Sequence, residues 1–153
     1  MFQFCFFISL AYSYCIETKP AKINYPVAVE RSTEMITRHE GLVLEAYPDT
    51  RGWSIGYGTR SYPGEVITKQ EAYARMLRIV QLSVSRVMRD FPTAGEDKVV
   101  AMTSLFYNCY KTGYLRVVKE WYFVMHEPGF CSPSGYGGLV ARRAEERKLI
   151  FWE

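Results

Sequence analysis

The sequence predicts an α+β fold: a small antiparallel sheet lobe beside a larger helical lobe, with a cleft between them. Three observations carry this. Short alternating segments broken by turn chemistry crowd residues 42 to 67. Two Thr-x-x-Glu helix starts follow, each ahead of an apolar stripe at helical spacing. The chain has 153 residues, 48% of them hydrophobic, enough for one domain's core.

The elements follow in order. Glu17 to Pro26, with two prolines and two lysines, reads as a linker. Val27 to Glu40 reads as a helix stopped by Gly41. Leu42 to Tyr47 alternates like a strand, and Pro48 to Gly52 is turn chemistry. Trp53 to Tyr57 is a second strand, and Glu65-Val66-Ile67 a third after the turn at Ser61 to Gly64. Thr68-Lys69-Gln70-Glu71 is a capping box opening a long helix that ends at Phe91-Pro92. Thr93-Ala94-Gly95-Glu96 predicts a second box and the next helix. A further helix is expected over Tyr114 to Met125. Glu127 to Gly138, with four glycines and two prolines, reads as a loop, and Leu139 to Phe151 as a charged amphipathic helix.

The bulk numbers exclude some functions. A net charge of +3, with no basic run, does not point to nucleic acid, although it suits an anionic polymer. No His, Cys and Asp spacing suggests a metal, and neither His39 nor His126 has the surroundings of a catalytic base. The first sixteen residues carry no charge and are rich in Phe, Ile, Leu and Tyr. They read as an export signal or weak membrane anchor, able to touch a membrane transiently. They lack a basic start, so an over-long translation start or a core-packed strand are the alternatives. The expected organisation is a leader and linker over 1–25 and a catalytic domain over 26–153. Cys109 and Cys131 could form a bridge outside the cytoplasm, or be two separate buried thiols.

The chemistry concentrates around one acid. Glu40 falls at a helix end, where the macrodipole and partial burial both disfavour a charged carboxylate; a general acid needs such a proton. Asp49 lies in a turn whose amides could hold it ionised. Ser54 offers a hydroxyl that could hold a water beside it. Each residue alone has a plainer reading: a last-turn Glu, a turn Asp, a strand-edge Ser. Two carboxyls and a hydroxyl across a cleft are what cutting a glycosidic bond requires.

Taken together, His39-Glu40-Gly41-Leu42, Ala46-Tyr47-Pro48-Asp49 and Gly52-Trp53-Ser54-Ile55-Gly56-Tyr57-Gly58 resemble the phage-type lysozymes, the endolysins of glycoside hydrolase family 24. The resemblance extends to Phe106-Tyr107-Asn108 and to the segment from Gly138 to Arg147, and spans about residues 27 to 153. It implies a lysozyme-like fold and a muramidase cleaving the β-1,4 bond between N-acetylmuramic acid and N-acetylglucosamine in phage-induced host lysis. Glu40 would be the general acid, Asp49 would activate or position water, and Ser54 would assist. The expected mechanism is inverting, with the carboxyls roughly 6.5–9.5 Å apart. Tyr57, Asn108, Arg142 and Arg143 are the candidate substrate-binding residues. Arg142 or Arg143 could reach Glu40 or acidic groups of the substrate. The plainer reading is a solvated helix face, where Arg143, Glu146 and Arg147 pair. Trp53 could stack on sugar or pack the sheet lobe.

Three positions depart from the family pattern: Ser54 stands for the usual Thr, Thr59 for a common His, and Cys109-Tyr110 for Val-Gly. No cofactor is implied, the partner is the peptidoglycan strand, and a monomer is expected. The expected location is the periplasm or cell envelope of a bacterial host, or the cytoplasm before lysis if the leader is not functional. Two other readings stay open: a lytic transglycosylase, which needs one Glu and no base for water, and a wall-binding relative without catalysis.

Overall fold

The structure, a computed structural model, describes residues 22–50, 52–109 and 137–151. Its elements run α1 (Tyr25–Glu40), β1 (Val43–Asp49), β2 (Gly52–Gly56), β3 (Thr59–Ser61), α2 (Lys69–Asp90), α3 (Glu96–Cys109) and α4 (Gly137–Phe151). The α+β class holds: one antiparallel sheet, ordered β1-β2-β3, beside packed helices. The expected helix over Tyr114 to Met125 and the Cys109–Cys131 pairing involve residues outside those described.

Helix α1 starts two residues earlier than predicted. Asn24 takes extended φ/ψ at the N-cap, and Pro26 suits the first turn because its missing N–H has no helical partner there. The helix ends at Glu40, and Gly41 turns the chain with φ +67°. Ala28, Val29 and Ile36 of α1 pack with Met76, Val80, Val84 and Val87 of α2 and with Val99 and Met102 of α3 as the main core. A smaller cluster of Ile55, Ile67 and Ala72 fastens the sheet to α2. Tyr57 packs against both clusters and links the lobes.

The sheet differs from expectation at its third strand. That place belongs to Thr59–Ser61, paired with β2. Glu65 to Ile67 instead lies along the other edge of β1, with one bridge between Glu45 and Val66. It makes two backbone bonds to β1, Ala46 N to Glu65 O at 2.9 Å and Ile67 N to Leu44 O at 3.0 Å. Val66 is left 71% exposed, so the segment has one buried side chain, Ile67, beside the turned-in Glu65, and too little pairing for a strand. Between Val43 and Tyr47 the β1–β2 register shifts. The bulge leaves Tyr47 opposite Ser54 and Asp49 opposite Gly52.

The capping box at Thr68 forms as predicted: Glu71 N donates to Thr68 Oγ1 at 3.2 Å, and Thr68 N donates to Glu71 Oε2 at 2.8 Å. The predicted box at Thr93 does not form. Helix α3 begins at Glu96, with Val99 N bonded to Gly95 O. The Glu96 carboxylate instead accepts from Arg31 on α1 at 2.7 Å, and Asp97 accepts from the same guanidinium. A tertiary ion pair holds the carboxylate that the predicted capping box needed. Helix α4 begins at Gly137, so the last two residues of the predicted loop are helical.

Candidate active site

Backbone geometry brings the acid to the sheet. Glu40 is the last residue of α1, and its side chain is 18% exposed. The turn between β2 and β3 passes beneath it: a Cβ on Gly58 would stand 3.2 Å from Glu40 Oε2. Gly58 has φ +77°, a backbone that favours glycine, and a side chain there would press the Glu40 carboxylate aside by a few tenths of an ångström. The other carboxylate oxygen, Oε1, accepts from Arg142 Nη1.

Arg142 is the resolution of the Arg142/Arg143 ambiguity. It is 2% exposed and sits inside a polar network joining α1, α3 and α4. Its Nη2 donates to the Ser104 carbonyl at 2.8 Å and its Nε to Ser104 Oγ at 3.0 Å. Ser104 Oγ donates in turn to Glu146 Oε1 at 2.7 Å. Arg143 donates to Glu146 and, at 2.5 Å, to Asn108 Oδ1. The solvated-face reading of Arg143 and Glu146 is therefore corrected. Glu146 is 2% exposed, and their i, i+3 pair lies within the network, while Arg147 remains on the outside. Asn108, Arg142 and Arg143 thus meet one another and, through Arg142, the acid. One arginine–carboxylate spacing, Arg142 to Glu146 at i, i+4, was the available sequence signal, but it is equally a surface-pair signal.

The second half of the site lies on the sheet. Ser54 Oγ donates to Asp49 Oδ2 at 3.0 Å. Asp49 Oδ1 accepts from Thr50 N at 2.6 Å and from Thr50 Oγ1 at 3.2 Å. The turn amide expected to hold this carboxylate is thus present. Three donors on one carboxylate require it to act as an acceptor. Ser54 is buried and Asp49 exposed, so the pair runs from the packed sheet to its surface.

Two tyrosines missed in the sequence mark where the halves meet. Burial pushes the Tyr47 phenol above its ordinary value, and the charges of Asp49 and Glu40 push it the same way. Both carboxylates therefore act on one side chain, itself 37% exposed. Tyr107 of α3 donates to the Tyr57 carbonyl at 2.7 Å. Burial raises its phenol far above the usual range; the Glu40 charge adds to this and Arg142 opposes it. Tyr57 is half-buried between the lobes, Trp53 is half-buried on β2, and buried Thr59 donates to the Ile55 carbonyl at 3.0 Å. His39 Nε2 bonds Glu145 Oε2 at 2.7 Å, a contact between α1 and α4.

A cavity of about 790 Å³ opens between α1 and α2, lined in part by Tyr25, Thr33, Tyr73 and Leu77; neither Glu40 nor Asp49 lines it. Converging donors and carboxylates, not volume, locate the site. Among the described residues no group of three or more His, Cys, Asp or Glu could hold a metal, and no helix is long and apolar enough to cross a membrane.

A glutamate closing a helix, backed by a buried arginine and set beside an Asp–hydroxyl pair on a three-stranded sheet, defines a chain of the lysozyme class. Residues 37–116 match the model of the phage lysozyme family, just over half of the chain, and the chain belongs to that family. Solved structures with the same fold include the muramidase domain of SpmX from Asticaccaulis excentricus, at TM-score 0.61 and 24% identity, covering 78% of this chain and 94% of that one. The endolysin from Escherichia coli O157:H7 phage FAHEc1 aligns at TM-score 0.56 and 20% identity, over 86% and 96% of the two chains. The active form of the P1 phage endolysin Lyz aligns at TM-score 0.56 and 21% identity, over 84% and 93%. No curated protein sequence matches the chain.

Proposed function

We propose that this protein is a peptidoglycan muramidase working by inverting hydrolysis. The observation that carries the reading is geometric: a partly buried acid at the end of α1, held by Arg142 and packed on the Gly58 turn of the sheet, and an Asp49–Ser54 hydrogen-bonded pair on the same sheet. Glu40 is the general acid, and Oε2, the oxygen turned to Gly58, carries the proton. It protonates the glycosidic oxygen as the bond from the anomeric carbon to that oxygen breaks. A water gives its proton to Asp49 and forms the new bond from the opposite face of the sugar. Ser54 has donated its own hydrogen to Asp49, so its lone pairs are available to orient the water's second hydrogen. That pair favours hydrolysis over transglycosylation, in which the sugar's own hydroxyl attacks and no water needs holding.

The setting that fits is phage-induced lysis, with the chain acting as a monomer on the wall after export. The experiment is release of reducing ends from purified peptidoglycan by the protein and by Glu40→Gln. The amide keeps an acceptor for Arg142 but lacks the acidic proton, so the rate should fall about 10²–10⁴-fold. Equal rates in the two proteins would overturn the reading, and anhydro-sugar products would transfer it to the transglycosylases.

A further inference from the structure

The sheet face that carries Asp49 continues beyond it to a cation. Tyr47 pairs with Ser54, and Ser54 pairs with Arg60 on β3. Residues directly opposite across strands point to the same side, so the three form one row. Gly52, two residues before Ser54 and directly opposite Asp49, belongs to that face. The Arg60 side chain leans along it: Nη1 lies 3.3 Å from where a Cβ on Gly52 would stand. Gly52 has φ +123°, and its missing side chain leaves the guanidinium room above the strand. Arg60 is exposed. A positive group thus stands exposed on the sheet face that holds the water-positioning acid.

The substrate limits what such a group can recognise. The sugar rings of a wall glycan are neutral. Its negative charges are carboxylates, on the peptide stems or on the lactyl arm where a stem is missing. A guanidinium matches a carboxylate with two parallel N–H donors. We propose that Arg60 is a specificity-determining residue that binds a carboxylate of the wall strand and so distinguishes acidic peptidoglycan from a neutral glycan. This rests on the muramidase reading above.

The test compares the protein with Arg60→Gln and Arg60→Lys on three walls: purified sacculi, the same sacculi with their carboxyls amidated, and sacculi stripped of stems by an amidase. On intact sacculi Arg60→Gln should raise KM about tenfold, the scale of one charge-assisted hydrogen bond, with little change in kcat. Amidation should raise the KM of the parent protein by a similar factor and leave Arg60→Gln unaffected. Arg60→Lys, which keeps the charge, should recover part of the loss and shows that a folded variant is being measured. A penalty that persists on stripped glycan assigns the contact to the lactyl carboxylate as well; one confined to intact walls assigns it to the stem. An equal penalty on amidated walls, no penalty anywhere, or a loss in kcat instead of KM would overturn the proposal, the last by making Arg60 a positioning residue for Asp49. Co-sedimentation of Glu40→Gln, with and without Arg60→Gln, on intact and amidated walls reads the same contact without turnover. Failure of the muramidase reading, seen as no reducing ends from any wall, is thereby distinguished from failure of this one.

Discussion

At position 58 the backbone favours glycine and the Glu40 carboxylate stands close to where a side chain would be. The turn needs a left-handed conformation, at φ +77°, and the Glu40 carboxylate fills the space a side chain would take, with Oε2 3.2 Å from the ideal Cβ. Gly64 has almost the same backbone, φ +78°, but nothing within 4 Å of its Cβ position. The two glycines separate strain from contact. Gly64→Ala should cost about 1–2 kcal/mol of stability, the penalty for an L side chain in that region, and leave kcat unchanged. Gly58→Ala should cost at least as much and also lower kcat, because it displaces the oxygen assigned to carry the proton. Thermal melts and reducing-end release on both variants check this; equal kcat in the two would remove the contact from the mechanism. The sequence gives Gly58 away as a tight-turn residue, but its partner lies eighteen positions upstream, and nothing local announces it.

The elements divide by how local their causes are. The box at Thr68 is readable because donor and acceptor lie three residues apart, and the α1 stop is readable because Gly41 supplies it. The box at Thr93 has the same letters and fails because Arg31, 65 residues from Glu96, takes the carboxylate. The third strand is misplaced because its partner is a tertiary choice: Thr59–Ser61 pairs with β2 while Glu65 to Ile67 meets the other edge of β1 through one bridge, and an alternating pattern does not say which segment takes the place. Likewise Asp49 and Ser54, five residues apart, come together by hairpin register, whereas the Arg142–Glu40 contact spans 102 residues and could only be offered as one of two choices. Helix α4 is the element most exposed to that distant contact. Its inner face carries the buried Arg142 and Glu146 beside the buried Ile150, which packs on Ala101, so a polar network and one apolar contact hold it together. Removing the guanidinium leaves Glu40 and Glu146 facing an unfilled, buried position. Arg142→Ala should therefore destabilise the protein by about 3–5 kcal/mol, the cost of breaking one side of a buried pair. Arg147→Ala, on the exposed side of the same helix, should stay within about 0.5 kcal/mol. Denaturant unfolding of both variants checks the contrast, and similar midpoints would show that the network does not anchor α4.

For the molecule as a whole, three carboxyls held below their ordinary range, two by near neighbours and one across 106 residues, shape the response to acid. The Arg75 guanidinium, with help from the Ser61 hydroxyl, holds Glu65 below the usual carboxylate range. Thr68, through its backbone N–H and hydroxyl, lowers Glu71. Burial pushes Glu145 up, but hydrogen bonds from His39 and Arg38, with their charges, outweigh it and leave this carboxyl lowered too. In each case the unfolded chain takes up the proton more readily than the folded one. The stabilisation is therefore fully present above the unfolded value, about 4.3 for Glu, and is lost as pH falls through the lower folded values. Thermal stability should be level from neutrality to about pH 5 and decline below about pH 4 as these carboxylates protonate. Glu145→Gln removes one of the three groups and the tie between α1 and α4 that stands beside Glu40. It should lower the melting temperature near neutrality and make the acid decline shallower. A decline as steep as the parent's would mean that this tie contributes nothing to acid sensitivity.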